Sequence, residues 1–369
     1  NRLPGSLFGE LVNSIMSVQF TALRNGDRFY FMNDDQLTAE EKETINNTVL
    51  SDIISRNSDM PTLSENVFYA SPIPNEIRTI TGVNNNLIKP EWGSRGTHLV
   101  HFVSSDFSDG ISAPAGANRR NAREVSNIVF DQEEKNIPNK LGLSDYVYAW
   151  GQFIDHDISL TQNNNSESLL IEVPTFDPWF DPQGNGNVVI PMARSAFDPS
   201  TGTSPENPRK FKNEITAFID ASNVYGSEEA RSNWLRTFED GKLKTSDGNL
   251  LPYNTYDGSY EDNIDQNAPG MDHPIIPQDG KWFIAGDRRA NENPLLTSIH
   301  TLFVREHNRL CDEILEAHPN WFDDQIYHQA RRIVIGAIES IVFYEWLPAM
   351  GVEMDPYTGY KPNVNPQIM

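Results

Sequence analysis

Residues 150–157 of this chain read WGQFIDHD, and this stretch decides the fold. On a helix, one face would carry polar side chains at i, i+3, i+4 and i+7, namely Gln152, Asp155, His156 and Ser159. The opposite face would carry apolar ones, namely Val147, Trp150, Ile154 and Ile158. The segment contains no Lys or Arg and is rich in aromatic residues, which indicates burial on both sides. The polar face therefore belongs either to a purely structural helix or to a functional site.

The composition is typical of a soluble globular protein. The 369 residues allow two average domains or one large one. Apolar residues make up 38% and the mean hydropathy is -0.52, and no run approaches the roughly 18 apolar residues of a membrane span. The net charge of -23 argues against nucleic acid and anionic membrane surfaces as partners.

The single cysteine, Cys311, excludes an internal disulfide framework. It lies in an apolar pattern with helical spacing, which predicts a buried and unreactive thiol. His98 and His101 form an H-x-x-H pattern that has no further ligand nearby in the sequence, and we interpret both as structural.

The pattern along the chain predicts a mainly α fold with long ordered loops and little β structure. Apolar spacing predicts helices over residues 7–24, 38–54, 144–160, 294–317 and 323–347, the last ending before Pro348. The segments 104–140, 161–213 and 241–282 are rich in Pro, Gly, Asn and Asp. Loops of this length usually build or cover a site. A change in composition places a domain boundary near Ala70.

A second motif, GDRRANENP, occupies residues 286–294 and directly precedes a helix that contains REHNR at 305–309. Pro294 suits the first helical turn, so Arg289 and Glu292 are expected on the turn that leads into it. In isolation, the motif would be read as a helix start with ordinary surface arginines.

A third motif, TAFIDAS at residues 216–222, carries oxygen atoms at every second position. On an extended chain these oxygens share one side, and an all-oxygen set suits Ca²⁺ better than zinc or iron. The ligands would be the side chains of Thr216, Asp220 and Ser222 and the carbonyl of Phe218. In isolation, a polar edge strand is the ordinary interpretation.

In order and spacing, the three motifs resemble those of the animal-type haem peroxidase superfamily, the peroxidase–cyclooxygenase group. The matching patterns are WGQxxDHD at 150–157, GDxRxxExP at 286–294 and REHNR at 305–309, and the heptad 216–222 stands where that family binds calcium. Taken together they favour a site over the structural interpretation of each motif alone. The resemblance implies the helical fold of that family, with long ordered loops.

The resemblance implies a haem cofactor and a role for each motif residue. His156 would be the distal histidine, Arg289 its partner, and Gln152 would line the distal pocket. Asp155 and Glu292 match the two carboxylates that form ester links to the haem. The substrates implied are hydrogen peroxide and a small reductant.

The resemblance also implies a bound Ca²⁺ ion. Asp157 matches the calcium ligand that the heptad lacks, so the expected ligand set is Asp157, Thr216, Phe218, Asp220 and Ser222.

Asn293 departs from the pattern of the strongest chloride oxidisers, which have at this position a methionine bonded to the haem. Without that bond the oxidising power is expected to be lower. Bromide, iodide, thiocyanate or phenols are therefore expected as reductants rather than chloride.

The chemistry of the residues agrees with these roles. Cleaving hydrogen peroxide at iron requires a proton to move from one oxygen to the other, and a histidine with an ordinary pKa of ~6.5 can do both halves. The base must start neutral, and a neighbouring guanidinium such as Arg289 opposes its protonation. The same cation would stabilise negative charge on the leaving oxygen.

The resemblance runs in an unusual order along the chain. Residues 7–30 resemble the C-terminal region of a peroxidase domain, and residues 78–93 resemble a new N-terminus. We therefore expect 1–70 to be the end of a preceding peroxidase domain and 71–369 the distal-side part of a following one. The proximal histidine would lie beyond residue 369, so the piece alone should bind haem weakly and should need other portions of the parent chain. A circularly permuted domain is the second interpretation.

Three functions are compatible with these features. The first is a haem peroxidase, the second a fatty-acid dioxygenase of the same superfamily, and the third a calcium-stabilised module without activity. The intact set of motif residues favours the first. Because a single cysteine is unlike the disulfide-rich animal members, we expect an exported, extracellular protein of bacterial type.

Overall fold

A computed structural model describes residues 78–133, 135–272 and 280–367, together with the backbone of two strands, Phe20–Asn25 (β1) and Arg28–Asn33 (β2). The chain divides into two compact units. The first comprises residues 1–80, 139–157 and 219–359, and the second comprises 81–138, 158–218 and 360–369. The helix expected over 38–54 and the boundary expected near Ala70 lie outside the described residues.

The described secondary structure is mainly helical. In chain order its helices are α1 (Ala122–Phe130), α2 (Tyr146–Ile158), α3 (Ser222–Tyr225), α4 (Glu229–Leu235), α5 (Pro294–Ala317), α6 (Asp323–Ser340), a π-helical stretch (Ile341–Trp346) and α7 (Leu347–Ala349). The remaining strands are short: β3 (Asn163–Ser168), β4 (Ile171–Glu172), β5 (Val189–Ile190) and β6 (Ala193–Ser195). The antiparallel pairs are β1 with β2, β3 with β6 and β4 with β5.

The helix predicted over residues 7–24 is wrong at its C-terminal end. Residues 20–25 form strand β1, which pairs with β2 so that Asn25 lies opposite Arg28. The two residues between them in the sequence are Gly26 and Asp27. A Gly-Asp pair between two apolar runs is typical of a two-residue hairpin connection, which outweighs helical periodicity over so short a segment. The rest of this predicted helix lies outside the described residues.

The core of the first unit forms around α5, α6 and α2. Helix α5 begins where it was predicted, because the Asn293 side chain accepts a hydrogen bond from the backbone N–H of Leu296 at 2.9 Å and Pro294 follows as the first helical residue. Its buried face packs on α2, where the rings of Phe153 and Phe303 stack with their centroids 5.3 Å apart. Cys311 is fully buried, which confirms the burial predicted for its thiol.

The prediction that the helix after α5 ends before Pro348 is wrong. The chain stays helical through the π-helical stretch and α7, and Pro348 is the second residue of α7. This continuation supports α2. The Trp346 indole N–H donates to the carbonyl of Val147 at 3.0 Å, and a Cβ on Gly151 would lie 3.2 Å from the Trp346 ring.

The second unit contains one helix that was not predicted. Helix α1 lies within residues 104–140, which were expected to be irregular, and Asn121 caps it by accepting from the N–H groups of Arg123 and Glu124. Two hydrogen bonds anchor helix α1, because Arg123 Nε and Nη2 donate to the buried Asp177 carboxylate at 2.7 and 3.0 Å. The spacing of Val125, Ile128 and Val129 is helical and could have indicated α1 in the sequence. All three side chains are exposed.

Candidate functional site

The polar face of α2 divides into a buried part and an open part. His156 is 3% exposed and Asp157 is fully buried, so these two side chains point into the protein. The Asp155 side chain is 59% exposed and Gln152 is half-buried. Ser159 follows the end of the helix, belongs to the second unit and is half-buried. The structure thus confirms a two-sided helix, but only part of its polar face is buried.

A buried carboxylate, Asp287, holds Arg289 beside α2. The backbone N–H, Nε and Nη2 of Arg289 donate to Asp287 at 2.8, 2.9 and 2.9 Å. Arg289 Nη1 lies 3.7 Å from Asp155 Oδ2, and Nη2 lies 3.5 Å from the carbonyl of His156. Burial works against ionisation of Asp287, but the donors of Arg289 prevail and hold its pKa below the usual value. The guanidinium is therefore fixed in position and orientation.

The His156 imidazole is neutral in this environment. Burial, followed by the positive charge of Arg289, lowers the pKa of His156 to about 3, although Asp287 acts in the opposite direction. Its Nδ1 lies 3.7 Å from Asp287 Oδ1, which is beyond hydrogen-bond distance. The first unit thus places a neutral imidazole next to a cation, and the role of His156 as the catalytic base stays a prediction.

Gln152 and Glu292 come together although 140 residues separate them. Gln152 Nε2 donates to Glu292 Oε2 at 2.7 Å, and Asn293 Nδ2 donates to Gln152 Oε1 at 2.9 Å. The turn before α5 continues this ring of contacts, because the N–H of Glu292 donates to the carbonyl of Arg289 at 3.0 Å. Gln152, Asp155, Arg289 and Glu292 therefore surround one solvent-accessible patch next to His156.

Three of the five predicted calcium ligands lie together in the first unit. Asp157 Oδ1 accepts from Ser222 Oγ at 2.7 Å, and Asp157 Oδ2 accepts from the N–H of Ala221 at 3.0 Å. Asp220 is also buried, and burial together with the negative charge of Asp220 raises the pKa of Asp157 to about 7. Two mutually repelling buried carboxylates fit a bound cation.

The other two predicted calcium ligands, Thr216 and Phe218, belong to the second unit, and their part in a calcium site remains a prediction. Within the described ranges, no three His, Cys, Asp or Glu side chains converge in a way that could hold a metal ion. The predicted calcium site does not need three such side chains, because hydroxyl and carbonyl oxygens would supply its remaining ligands.

Asp287 and His300 are site residues that the sequence reasoning missed. An Asp two residues before Arg289 is well placed to accept from that residue's backbone N–H, as in an Asx-turn, so the spacing in GDRR contained the evidence. His300 lies on α5 with 1% exposure, and its ring meets Phe153 edge-on at 5.0 Å. Burial lowers the pKa of His300 to about 4, so it is a second neutral imidazole.

Gly286 places Asp287 by allowing a very close backbone approach. A Cβ at position 286 would lie 2.4 Å from the carbonyl carbon of Val224 and 2.6 Å from the nitrogen of Tyr225. The neighbouring N–H of Asp287 donates to the carbonyl of Asn223 at 3.0 Å. The sequence Gly-Asp thus brings the carboxylate against α3.

We expect Gly286→Ala to lower the free energy of unfolding by about 3 kcal/mol, because the clash involves backbone atoms that cannot rotate away. Gly336→Ala is the matched control. Gly336 lies within α6, a Cβ there meets nothing within 4 Å, and alanine should stabilise the helix by roughly 0.5–1 kcal/mol. Urea unfolding of both variants measures the difference, and a neutral Gly286→Ala would contradict the close approach.

In the part of the chain that the structure describes, we find no helix with the length and apolar character needed to cross a membrane.

Comparison with known proteins gives the family. The model of the family described as animal haem peroxidase matches residues 1–68 and 77–369. The chain belongs to the animal haem peroxidase family. Its mainly α structure is the fold of that family. Membership implies haem as the cofactor and supports an oxidoreductase activity.

Several members of this family are similar in sequence. A dual oxidase of Drosophila melanogaster is 36% identical over 291 residues, which cover 78% of this chain and 18% of the relative. Dual oxidase 1 of Homo sapiens is 32% identical over 303 residues, which cover 81% of this chain and 19% of the relative. The chain thus spans about a fifth of the length of these dual oxidases.

Solved structures of similar fold include a peroxidase and plant fatty acid alpha-dioxygenases. Peroxidase A from Dictyostelium discoideum has a TM-score of 0.67 and 32% identity, and the match covers 79% of this chain and 56% of that one. A fatty acid alpha-dioxygenase of Arabidopsis thaliana has a TM-score of 0.54 at 18% identity, covering 83% of this chain and 42% of that one. The second likeness concerns the fold alone.

The residues of the first unit fit the cofactor that the family implies. Asp155 and Glu292 are exposed carboxylates at the edge of the patch described above, so both are accessible to a ligand from outside the protein. Beside them stand the guanidinium of Arg289 and the neutral imidazole of His156. This set of two exposed carboxylates, a cation and a neutral base is compatible with the haem that the family implies.

Proposed function

We propose that the first unit forms the distal side of a haem peroxidase site that reduces hydrogen peroxide and oxidises a small reductant. The observation that carries this proposal is the buried, neutral His156 beside a guanidinium that Asp287 fixes in place. A neutral base next to a fixed cation is the arrangement that cleavage of a peroxide O–O bond requires. Asp155 and Glu292 would hold the haem through ester links.

Each side chain has a distinct task in this mechanism. His156 takes the proton from one peroxide oxygen and returns it to the other, and its depressed pKa keeps the imidazole neutral before the transfer. Arg289 stabilises the negative charge that grows on the leaving oxygen. Its guanidinium does not have to move for this, because Asp287 already holds it in position. Gln152 lines the patch with an amide held by Glu292 and Asn293. The haem, when bound, supplies the iron that exchanges electrons with peroxide and reductant.

The expected reductants are bromide, iodide, thiocyanate or phenols. Asn293 supports this proposal, because it stands where the strongest chloride oxidisers have a methionine bonded to the haem. In the haem-loaded full-length parent protein, initial rates with hydrogen peroxide should be measurable for at least one of these donors and much lower for chloride. Chloride oxidation as fast as bromide oxidation would contradict the proposal. The carboxylates Asp155 and Glu292 favour peroxidase activity over a fatty-acid dioxygenase.

We also propose that Ca²⁺ binds Asp157 and Asp220 and stabilises α2 in its position. Support comes from the burial of both carboxylates and from the hydroxyl of Ser222 on Asp157. Chelation should lower the free energy of unfolding by about 2.7 kcal/mol, if free calcium before chelation is a hundredfold above Kd. Thermal unfolding with EGTA, and again after calcium is restored, measures this effect.

Asp157→Asn is the variant that tests the calcium site, and EGTA should have no effect on its unfolding temperature. Asp181→Asn is the matched control, because Asp181 is a buried carboxylate that instead accepts from the N–H groups of Asn185 and Gly186. That variant should keep the wild-type response to EGTA. An unfolding temperature of the wild-type chain that does not change with EGTA would contradict the calcium proposal. An extracellular location, expected from the sequence, stays a prediction.

A further inference from the structure

Three side chains form a directed chain of hydrogen bonds from the start of α5 to the patch. Asn293 Oδ1 accepts from the backbone N–H of Leu296 at 2.9 Å. Asn293 Nδ2 donates to Gln152 Oε1 at 2.9 Å, and Gln152 Nε2 donates to Glu292 Oε2 at 2.7 Å. This series of hydrogen bonds therefore connects a fixed backbone donor to a carboxylate through two side-chain amides.

The direction of both amides is determined at the two ends. The N–H of Leu296 can only donate, so Asn293 must turn its oxygen toward it and its NH₂ group toward Gln152. An ionised Glu292 can only accept, so Gln152 must turn its NH₂ group toward the carboxylate and its oxygen toward Asn293. The two requirements agree, and each amide has one orientation that satisfies both neighbours.

Capping alone does not explain why position 293 is asparagine. Ser, Thr and Asp cap helices about as well as Asn, because each offers an oxygen to the first turn. Asparagine alone among them retains an amide donor after its oxygen has been used in the cap. The structure uses that donor on Gln152.

We propose that Asn293 is a positioning residue that orients the carboxylate of Glu292 through the amide of Gln152. Without the donor from Asn293, the Gln152 amide is free to turn over and present its oxygen to the carboxylate, which would repel it. The significance for haem attachment rests on the proposed function, but the hydrogen-bond chain is a property of the polypeptide itself.

The pKa of Glu292 provides the readout. Partial burial raises this pKa, Arg289 and the donor from Gln152 lower it, and the carboxylates of Asp287 and Asp272 raise it. Loss of an oriented amide donor should therefore raise the pKa, by about 1–2 units for one hydrogen bond to a charged group. The measurement is an NMR titration of the haem-free 369-residue chain with carboxyl-labelled glutamate, in which Glu292→Gln assigns the resonance.

Asn293→Ser is the decisive variant, because serine keeps the cap and removes the amide donor. We expect the pKa of Glu292 to rise while the thermal midpoint stays near that of the wild type. Asn293→Thr serves as a second capped variant if serine impairs folding. Asn291→Ser is the matched control, because the Asn291 amide donates to the carbonyl of Phe283 at 2.8 Å and takes no part in the hydrogen bonds that lead to Glu292. Its Glu292 pKa should equal that of the wild type.

A double-mutant cycle tests whether the effect passes through Gln152. Gln152→Met should raise the pKa of Glu292, and adding Asn293→Ser should raise it no further. Additive shifts, no shift in Asn293→Ser, or an equal shift in Asn291→Ser would overturn the proposal. Because the assay contains neither haem nor peroxide, its result is independent of whether the loaded protein is a peroxidase.

Discussion

Replacing His156 by alanine should lower the rate of peroxide-dependent donor oxidation by about 10²- to 10⁴-fold in the haem-loaded full-length parent protein. The reason is that His156 is the neutral imidazole next to the patch and to Arg289, whereas His300, also neutral, is buried on α5 against Phe153. Haem content should stay close to that of the wild type, because the carboxylates proposed to hold the haem are Asp155 and Glu292.

His101→Ala is the matched control for this loss. His101 is exposed, lies in the second unit and contacts only the edge of the Phe211 ring among the described aromatic contacts. Stopped-flow mixing with hydrogen peroxide measures the first step, and steady-state oxidation of bromide or a phenol measures turnover. Wild-type turnover in His156→Ala, with haem content unchanged, would remove His156 from the mechanism.

Replacing Asp287 by asparagine should lower the free energy of unfolding by about 3 kcal/mol and reduce turnover as well. Asparagine keeps the shape of the side chain but leaves the largely buried Arg289 without its counter-charge. The guanidinium, now free of its carboxylate, would no longer be fixed beside His156. Stability and activity should therefore fall together, as urea unfolding and steady-state assays can measure.

Asp272→Asn is the control, because it breaks the neighbouring pair in a different environment. Arg288 Nη2 lies 2.7 Å from Asp272 Oδ1, but both side chains are nearly half exposed, so the loss should be about 1 kcal/mol or less. Adding Arg289→Met to Asp287→Asn should restore much of the stability but none of the activity, because an unpaired buried charge is then absent. Equal losses in Asp287→Asn and Asp272→Asn would show that burial of the pair is unimportant.

Much of the helical structure could be predicted from the sequence, because the evidence for it is local. Helix α5 was predicted at its observed bounds, since Asn293 and Pro294 mark its start and its apolar spacing persists. Helix α1 was missed although its apolar spacing is regular, because polar, irregular sequence surrounds it. Strand β1 was predicted as helix because six residues contain too few turns to distinguish the two periods, and its pairing with β2 decides the outcome.

The site shows the same division between local and distant information. The sequence by itself determined which residues we propose for the chemistry, since His156, Arg289 and Glu292 occur in motifs of specific order and spacing. Only the tertiary structure decided how they are held: Asp287 fixes Arg289, and Asn293 orients Gln152 toward Glu292. Hydrogen bonds between α2 and the turn before α5 join residues about 140 positions apart. Periodicity cannot report such contacts, because they depend on how two helices pack and not on either helix alone.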